Sequence, residues 1–210
     1  MICVSLSGLS FEECLDAIHH SEFAEIRIDL LDLTVDQFKD LFASNKKTIA
    51  TCRTGKFTIQ QQLQLLKMAI DAGTAYIDID YQDESAFREE LTTYAHDHRT
   101  SVIVSYHNFT LTPALDDLEI IIRQSKLWNA DYVKIATTAL SRTDCSIVMG
   151  LYARHDNIIS FCMGELGKIT RVAAPLLGSE FTYASWSEQH STAPGQLTVE
   201  EIELIYNILK

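Results

Sequence analysis

The sequence predicts an α/β fold, a compact (β/α)8 TIM barrel in which the whole chain (1–210) forms a single domain. Apolar runs of strand length alternate along the chain with segments whose apolar residues recur every three to four positions. Eight strand–helix units can be assigned in this way, and eight close a barrel of parallel strands. At 210 residues the chain is short for this fold, so its loops must be short as well.

The predicted strands are the apolar runs at 2–6, 24–30, 48–52, 75–80, 101–106, 131–136, 158–163 and 180–183. The clearest predicted helix is 58–72, which carries apolar residues at helical spacing. A second helix is expected at 113–128, with Thr112 as its N-cap and a proline in the first helical position. The last helix is expected to begin at Thr198, because Glu201 completes a capping box.

The residue pattern of the strands favours a closed barrel over an open doubly wound sheet. Central strands of an open sheet are covered by helices on both sides and are therefore apolar on both faces. In strand 75–80, by contrast, Ile77 and Ile79 alternate with Asp78 and Asp80. A polar face and an apolar face are also present in the strands at 24–30, 48–52, 101–106 and 131–136. We therefore expect a polar lumen whose charges of both signs pair with one another.

The composition excludes several classes of function. The formal net charge of −12 argues against a protein that binds nucleic acid or an anionic membrane. Five widely spaced cysteines without a C-x-x-C motif predict reduced thiols and a cytoplasmic location. The N-terminal residues do not resemble a signal peptide, and no apolar run is long enough to span a membrane. No metal-ligand, serine-nucleophile or phosphate-loop motif is present, so no metal site is expected.

Lys134 is the most informative residue, because it lies in the middle of a predicted strand where lysine is rare. One interpretation is structural: the lysine pairs with a carboxylate such as Asp78, or it points outward from an edge strand. The other is catalytic, because burial and neighbouring cations such as Arg27 and Arg53 favour a neutral amine that attacks a carbonyl. The residue type and position leave both interpretations open.

His107 ends the strand that precedes Lys134, and neighbouring strands lie about 4.8 Å apart. Both side chains can therefore reach one bound molecule. A lone histidine at a strand end is most often a surface or structural residue, but beside a buried lysine it is the expected acid–base partner.

Three arginines, Arg27, Arg53 and Arg171, are expected at the C-terminal ends of strands or in the loops beyond them. They are either structural ion-pair partners or a site for a carboxylate or polyhydroxylated ligand. Glu25 either neutralises Arg27 or accepts hydrogen bonds from ligand hydroxyls. The loop 191–196 is either an ordinary connection or a lid that brings Gln196 onto the ligand.

Taken together, these motifs resemble the type I 3-dehydroquinate dehydratase family, a group of class I aldolase-like barrels. The matching segments occur in family order at 25–29 (EIRID), 51–54 (TCRT), 105–109 (SYHNF), 133–136 (VKIA), 163–164 (MG) with Arg171, and 192–196 (TAPGQ).

The resemblance implies a lyase of the shikimate pathway for aromatic amino acids and chorismate, which turns 3-dehydroquinate into 3-dehydroshikimate. Lys134 forms a Schiff base with the substrate ketone, and His107 moves the proton in a syn elimination of water. No cofactor is needed, because the lysine is the electron sink. The substrate is held by the residues Glu25, Arg27, Arg53, Arg171, Thr192 and Gln196. A cytoplasmic homodimer is also implied.

The sequence departs from the family at one position. Four residues after the arginine at position 53 the family usually carries a glutamate that orients the catalytic histidine, and this chain carries Phe57. Asp80, on the strand next to His107, is our expected replacement, with Asp78 as a second choice. Two alternatives stay open: another Schiff-base aldolase or transaldolase, and a non-catalytic barrel that binds a small molecule.

Overall fold

The computed structural model describes residues 1–44 and 47–209, and eight parallel strands form one sheet in the order β7-β6-β5-β4-β3-β2-β1-β8. The strands are β1 (Ile2–Leu6), β2 (Phe23–Arg27), β3 (Lys47–Thr51), β4 (Tyr76–Asp80), β5 (Ser101–Asn108), β6 (Tyr132–Thr138), β7 (Ile158–Met163) and β8 (Thr182–Ser185). The first strand, β1, pairs with the last strand, β8, as well as with β2, and the sheet curls into a nearly closed barrel. The predicted (β/α)8 architecture is confirmed.

Eight helices cover the outside of the barrel. They are α1 (Phe11–His20), α2 (Val35–Phe42), α3 (Ile59–Asp71), α4 (Ser85–Asp97), α5 (Leu115–Leu127), α6 (Arg142–Gly150), α7 (Lys168–Leu177) and α8 (Val199–Leu209). In the described ranges, none of these helices combines the length and hydropathy that a bilayer span requires.

Predicted and observed bounds agree for the strands at 2–6 and 158–163, and the shifts of the second and the last strand have a physical reason. The second strand ends at Arg27, not at residue 30, because Ile28–Leu30 forms a single 3-10 turn. That turn brings the Asp29 carboxylate onto the Arg27 guanidinium. The last strand lies at Thr182–Ser185, two residues later than predicted, since its pairing with β1 continues as far as Ser185.

The helix starts were predicted correctly at two positions and wrongly at one. Thr58 and Thr198 each form a capping hydrogen bond with the residue three positions later. The prediction for Thr112 was wrong, because α5 begins two residues after the proline. The Thr112 hydroxyl instead contacts the hydroxyl of Thr137 (2.8 Å) and donates to the Thr138 carbonyl (2.9 Å).

The barrel interior has two layers, and only the upper one is polar. At the amino ends of the strands, buried apolar and aromatic side chains form the barrel floor: Cys3, Phe23, Ile49, Tyr76, Ile103, Ile159 and Phe181. The next inward positions towards the carboxyl ends are the polar residues Ser5, Glu25, Thr51, Asp78, Ser105 and Lys134. The predicted polar lumen therefore occupies the upper half of the barrel, above an apolar floor.

Candidate active site

A cavity of about 280 Å³ opens at the carboxyl ends of the strands. Its lining includes every site residue that the sequence predicted: Glu25, Arg27, Arg53, Asp80, His107, Lys134, Arg171, Thr192 and Gln196. A larger groove, about 790 Å³, lies between β1 and α8 and contains none of these residues. Because all of the predicted site residues line the smaller cavity, we take that cavity as the candidate site.

Lys134 lies at the bottom of this cavity and is only 6% exposed. Its Nζ lies 3.4 Å from Oδ2 of Asp78 and 3.9 Å from the centroid of the Tyr183 ring. The other oxygen of Asp78 accepts hydrogen bonds from Arg53 (2.5 Å) and from Ser105 (2.6 Å). One buried carboxylate thus compensates two cations, which is how the structure tolerates a lysine inside a barrel.

The electrostatics of Asp78 follow from this arrangement. Burial alone would raise the pKa of the Asp78 carboxyl, but Arg53 and Lys134 hold that pKa well below its ordinary value. The same pairing raises the pKa of Arg53 against the opposing effect of burial. Asp78 and Arg53 are therefore both charged at neutral pH.

His107 lies at the mouth of the cavity, near the end of β5. Its Nδ1 is 3.6 Å from Oδ2 of Asp80, and its ring stacks nearly parallel to Phe109 at 6.0 Å. Burial lowers the pKa of His107 below 6.5, aided by the cations Lys134 and Arg53, while Asp80 opposes that shift. The imidazole is therefore neutral at pH 7 and free to accept a proton.

Arg27 and Glu25 have separate partners. The Arg27 guanidinium forms a two-pronged hydrogen bond to Asp29, with distances of 3.2 and 2.8 Å. The Glu25 carboxylate accepts hydrogen bonds from Ser5 (2.7 Å) and Thr51 (2.9 Å). Glu25 is therefore held by hydroxyls and does not serve as the ion-pair partner of Arg27.

Arg171 comes from the first turn of α7 and is 1% exposed. Its guanidinium lies 4.3 Å from the centroid of the Phe161 ring, and its Nε and one terminal nitrogen have no hydrogen-bond partner among the described residues. Burial lowers the pKa of Arg171 to about 10. A buried, unpaired guanidinium that lines a cavity is a ready site for an anion.

The loop 191–196 covers one side of the cavity. Gly195 has a φ of +71°, and a Cβ at that position would lie only 2.3 Å from the carbonyl oxygen of Gly164. Within the loop, Oε1 of Gln196 accepts hydrogen bonds from the backbone (2.7 Å) and hydroxyl (3.0 Å) of Thr192. The Gln196 amide nitrogen therefore keeps its donors for a ligand.

Phe57, at the position of the family glutamate, is absent from the cavity lining. It packs against the apolar cluster outside the barrel, and Nζ of Lys56 lies 5.5 Å from its ring centroid. The carboxylate next to His107 is instead that of Asp80.

Sequence reasoning missed several lining residues. Tyr183, Phe161, Met163 and Phe109 line the cavity and were not assigned to the site. Strand alternation could have placed Tyr183 and Phe161 inside the barrel, but apolar residues carry no chemical signal of their own.

Comparisons with known proteins agree with this geometry. Residues 2–210 match the family model described as type I 3-dehydroquinase. The chain is 36% identical to the 3-dehydroquinate dehydratase of Desulfotalea psychrophila, over 98% of this chain and 96% of that protein. It is 31% identical to the enzyme of that name from Methanococcus vannielii, over the full length of both. The solved 3-dehydroquinate dehydratase of Aquifex aeolicus superposes with a TM-score of 0.83 at 25% identity, covering 99% of this chain and 98% of that one.

Proposed function

The chain belongs to the type I 3-dehydroquinase family, and from that premise we propose that its cavity dehydrates 3-dehydroquinate to 3-dehydroshikimate through a Schiff base on Lys134. The chain is therefore a lyase of the shikimate pathway. The observation that carries the proposal is that one cavity holds a buried lysine, a neutral histidine and an unpaired arginine.

In the first step the Lys134 amine attacks the C3 ketone, the ketone oxygen leaves as water, and a proton taken up from solvent turns the resulting imine into an iminium. The carboxylate of Asp78, 3.4 Å from Nζ, remains beside the positive charge throughout. The Tyr183 ring, 3.9 Å from the same nitrogen, adds a π face that also favours a cation. The site thus stabilises positive charge on Nζ with a carboxylate and an aromatic ring.

The second step is proton transfer by His107. The iminium acidifies the C2 proton, because the electron pair left by that proton moves into the iminium and forms a neutral enamine. The neutral imidazole takes the proton and returns it to the C1 hydroxyl, which leaves as water. Asp80 faces Nδ1, so Nε2 is directed to the substrate and the imidazolium has a carboxylate beside it. Hydrolysis of the new iminium releases the product.

The remaining lining residues bind the substrate. Arg171 has free donors and suits the substrate carboxylate. The hydroxyl groups are bound by Glu25, Arg27, Arg53, Thr192 and Gln196, all of which line the same cavity. We also infer a homodimer located in the cytoplasm, as the family resemblance implies. Sedimentation equilibrium of the purified chain tests the dimer.

Trapping with borohydride tests the mechanism. Protein incubated with 3-dehydroquinate and then reduced should gain the mass of a covalent adduct, and Lys134→Ala should gain none. An absorbance rise from the conjugated product should accompany turnover and disappear in His107→Ala. Binding of the substrate without any adduct would instead indicate a non-catalytic barrel.

A further inference from the structure

The turn after β4 directs the Asp80 carboxylate. The Asp80 amide donates to Oδ2 of Asp83 (2.9 Å), and the Gln82 amide donates to Oδ1 of Asp80 (2.9 Å). The Asp83 amide donates back to the Asp80 carbonyl at 3.1 Å. These three bonds leave Oδ2 of Asp80 facing His107 at 3.6 Å and Arg53 at 3.7 Å.

Arg88, on α4, holds this turn from outside the barrel. It is 6% exposed, and its terminal nitrogen donates to the backbone carbonyl of Asp83 at 2.8 Å. It forms no ion pair with any described residue, and its Nε has no hydrogen-bond partner there. Burying an unpaired guanidinium costs free energy, so a purely structural role would be served better by an apolar side chain.

The Trp128 ring, just beyond α5, completes the arrangement. The Arg88 guanidinium lies 3.5 Å from the Trp128 centroid, and the Tyr81 ring lies 5.0 Å from it. Tyr81 in turn meets Tyr106 edge to face at 5.8 Å. Tyr81 follows Asp80 in the chain and Tyr106 precedes His107, so one aromatic cluster supports both strand ends from behind.

We propose that Arg88 and Trp128 form a clamp that fixes the turn after β4 and so keeps Asp80 directed at His107. The inference rests on the proposed function, in which His107 carries the proton. Neither clamp residue lines the cavity, so both are positioning residues that act through Asp80.

Arg88→Met tests the clamp, because it keeps a long stem on Trp128 and removes the donor to Asp83. We expect kcat for 3-dehydroquinate dehydration to fall roughly tenfold, since small displacements of a catalytic group are costly. KM and the yield of the borohydride adduct should stay within about twofold of the unmutated values, because binding and imine formation do not use His107. The matched control Arg123→Met removes an exposed arginine from α5 and should leave kcat unchanged.

A double-mutant cycle shows whether the effect passes through Asp80. In an Asp80→Ala background, Arg88→Met should lower kcat no further. A native kcat in Arg88→Met, or an undiminished loss in the Asp80→Ala background, overturns the clamp. If Arg88→Met fails to fold, Arg88→Lys carries the same test with a smaller loss of about threefold, because an ammonium cannot stack flat on the indole.

The two proposals fail in different ways. If the proposed function is wrong, the unmutated chain forms no borohydride adduct. If the clamp proposal is wrong, that adduct still forms and kcat of Arg88→Met stays at the native value.

Discussion

Lys134 and Asp78 form a buried ion pair, 3.4 Å between Nζ and Oδ2, in the upper layer of the barrel. The same carboxylate binds Arg53, so one acidic group balances two basic ones. The structural and the catalytic interpretations of Lys134 are therefore compatible: the carboxylate that makes the buried lysine tolerable also lies where an iminium would form.

Asp78→Asn should destabilise the fold by about 3 kcal/mol at pH 7, because Lys134 loses its carboxylate partner and Arg53 keeps only the longer contact with Asp80. The low pKa of Asp78 adds a pH signature. A carboxyl group with a depressed pKa contributes stability above its ordinary value of 3.8 and loses it as the pH falls further. Urea unfolding at pH 7, 4 and 3 should therefore show the gap between native and Asp78→Asn narrowing below about pH 4.

The pH dependence of catalysis should report His107. Because its pKa lies below 6.5, the acid limb of kcat/KM should have its midpoint below that value. Asp80→Ala removes the carboxylate that raises this pKa, so the midpoint should move further down while kcat falls. A pH–rate profile of both proteins measures the shift. An unchanged midpoint in Asp80→Ala would mean that Asp80 does not interact with His107.

Arg171→Met should separate binding from stability. In this variant the substrate carboxylate loses the Arg171 guanidinium as its partner. KM should therefore rise roughly 100-fold, as expected for a charge-assisted hydrogen bond of up to about 3 kcal/mol. The free enzyme should not be destabilised, because a buried guanidinium without partners is replaced by an apolar side chain. Steady-state kinetics and thermal melting check the two parts. A large fall in Tm with unchanged KM would assign Arg171 to the fold alone.

Tyr183 should act through its ring and not through its hydroxyl. The hydroxyl is buried without a hydrogen-bond partner among the described residues, so Tyr183→Phe should keep kcat and preserve or raise Tm. Tyr183→Leu removes the π face 3.9 Å from Nζ and should lower both adduct yield and Tm. Equal losses in the two variants would assign the effect to the hydroxyl.

Gly195→Ala should displace the loop 191–196 from its position beside the cavity. The added methyl group would meet the Gly164 carbonyl at 2.3 Å, and a φ of +71° disfavours alanine. The strain, about 1–3 kcal/mol, destabilises the position of the loop beside the cavity and not the barrel itself. KM should therefore rise about tenfold while Tm changes little. Kinetics with Gly73→Ala as the control check this expectation, because Gly73 also has a positive φ but has no atom within 4 Å of an added Cβ.

Sequence reasoning found the charged residues of the site because strand alternation forces them inward. Asp78, His107 and Lys134 each follow a two-residue period that assigns a face directly. Arg171 lies on a helix, where no such period shows that its guanidinium reaches the cavity. The Arg27–Asp29 contact could not be predicted either. It depends on a 3-10 turn, and the alternating pattern of residues 24–30 is typical of a continuous strand.

In the part of the chain that the structure describes, the aromatic floor of the barrel closes the lower end of the cavity. Phe23, Tyr76 and Phe181 close it below Lys134, and the Lys47 ammonium lies over the first two of these rings from the far side. We infer that substrate, product and water pass through the opening at the carboxyl ends of the strands, beside the loop 191–196. Product has to leave before the next substrate can enter, so its release past that loop sets an upper limit on turnover, however fast the chemistry becomes.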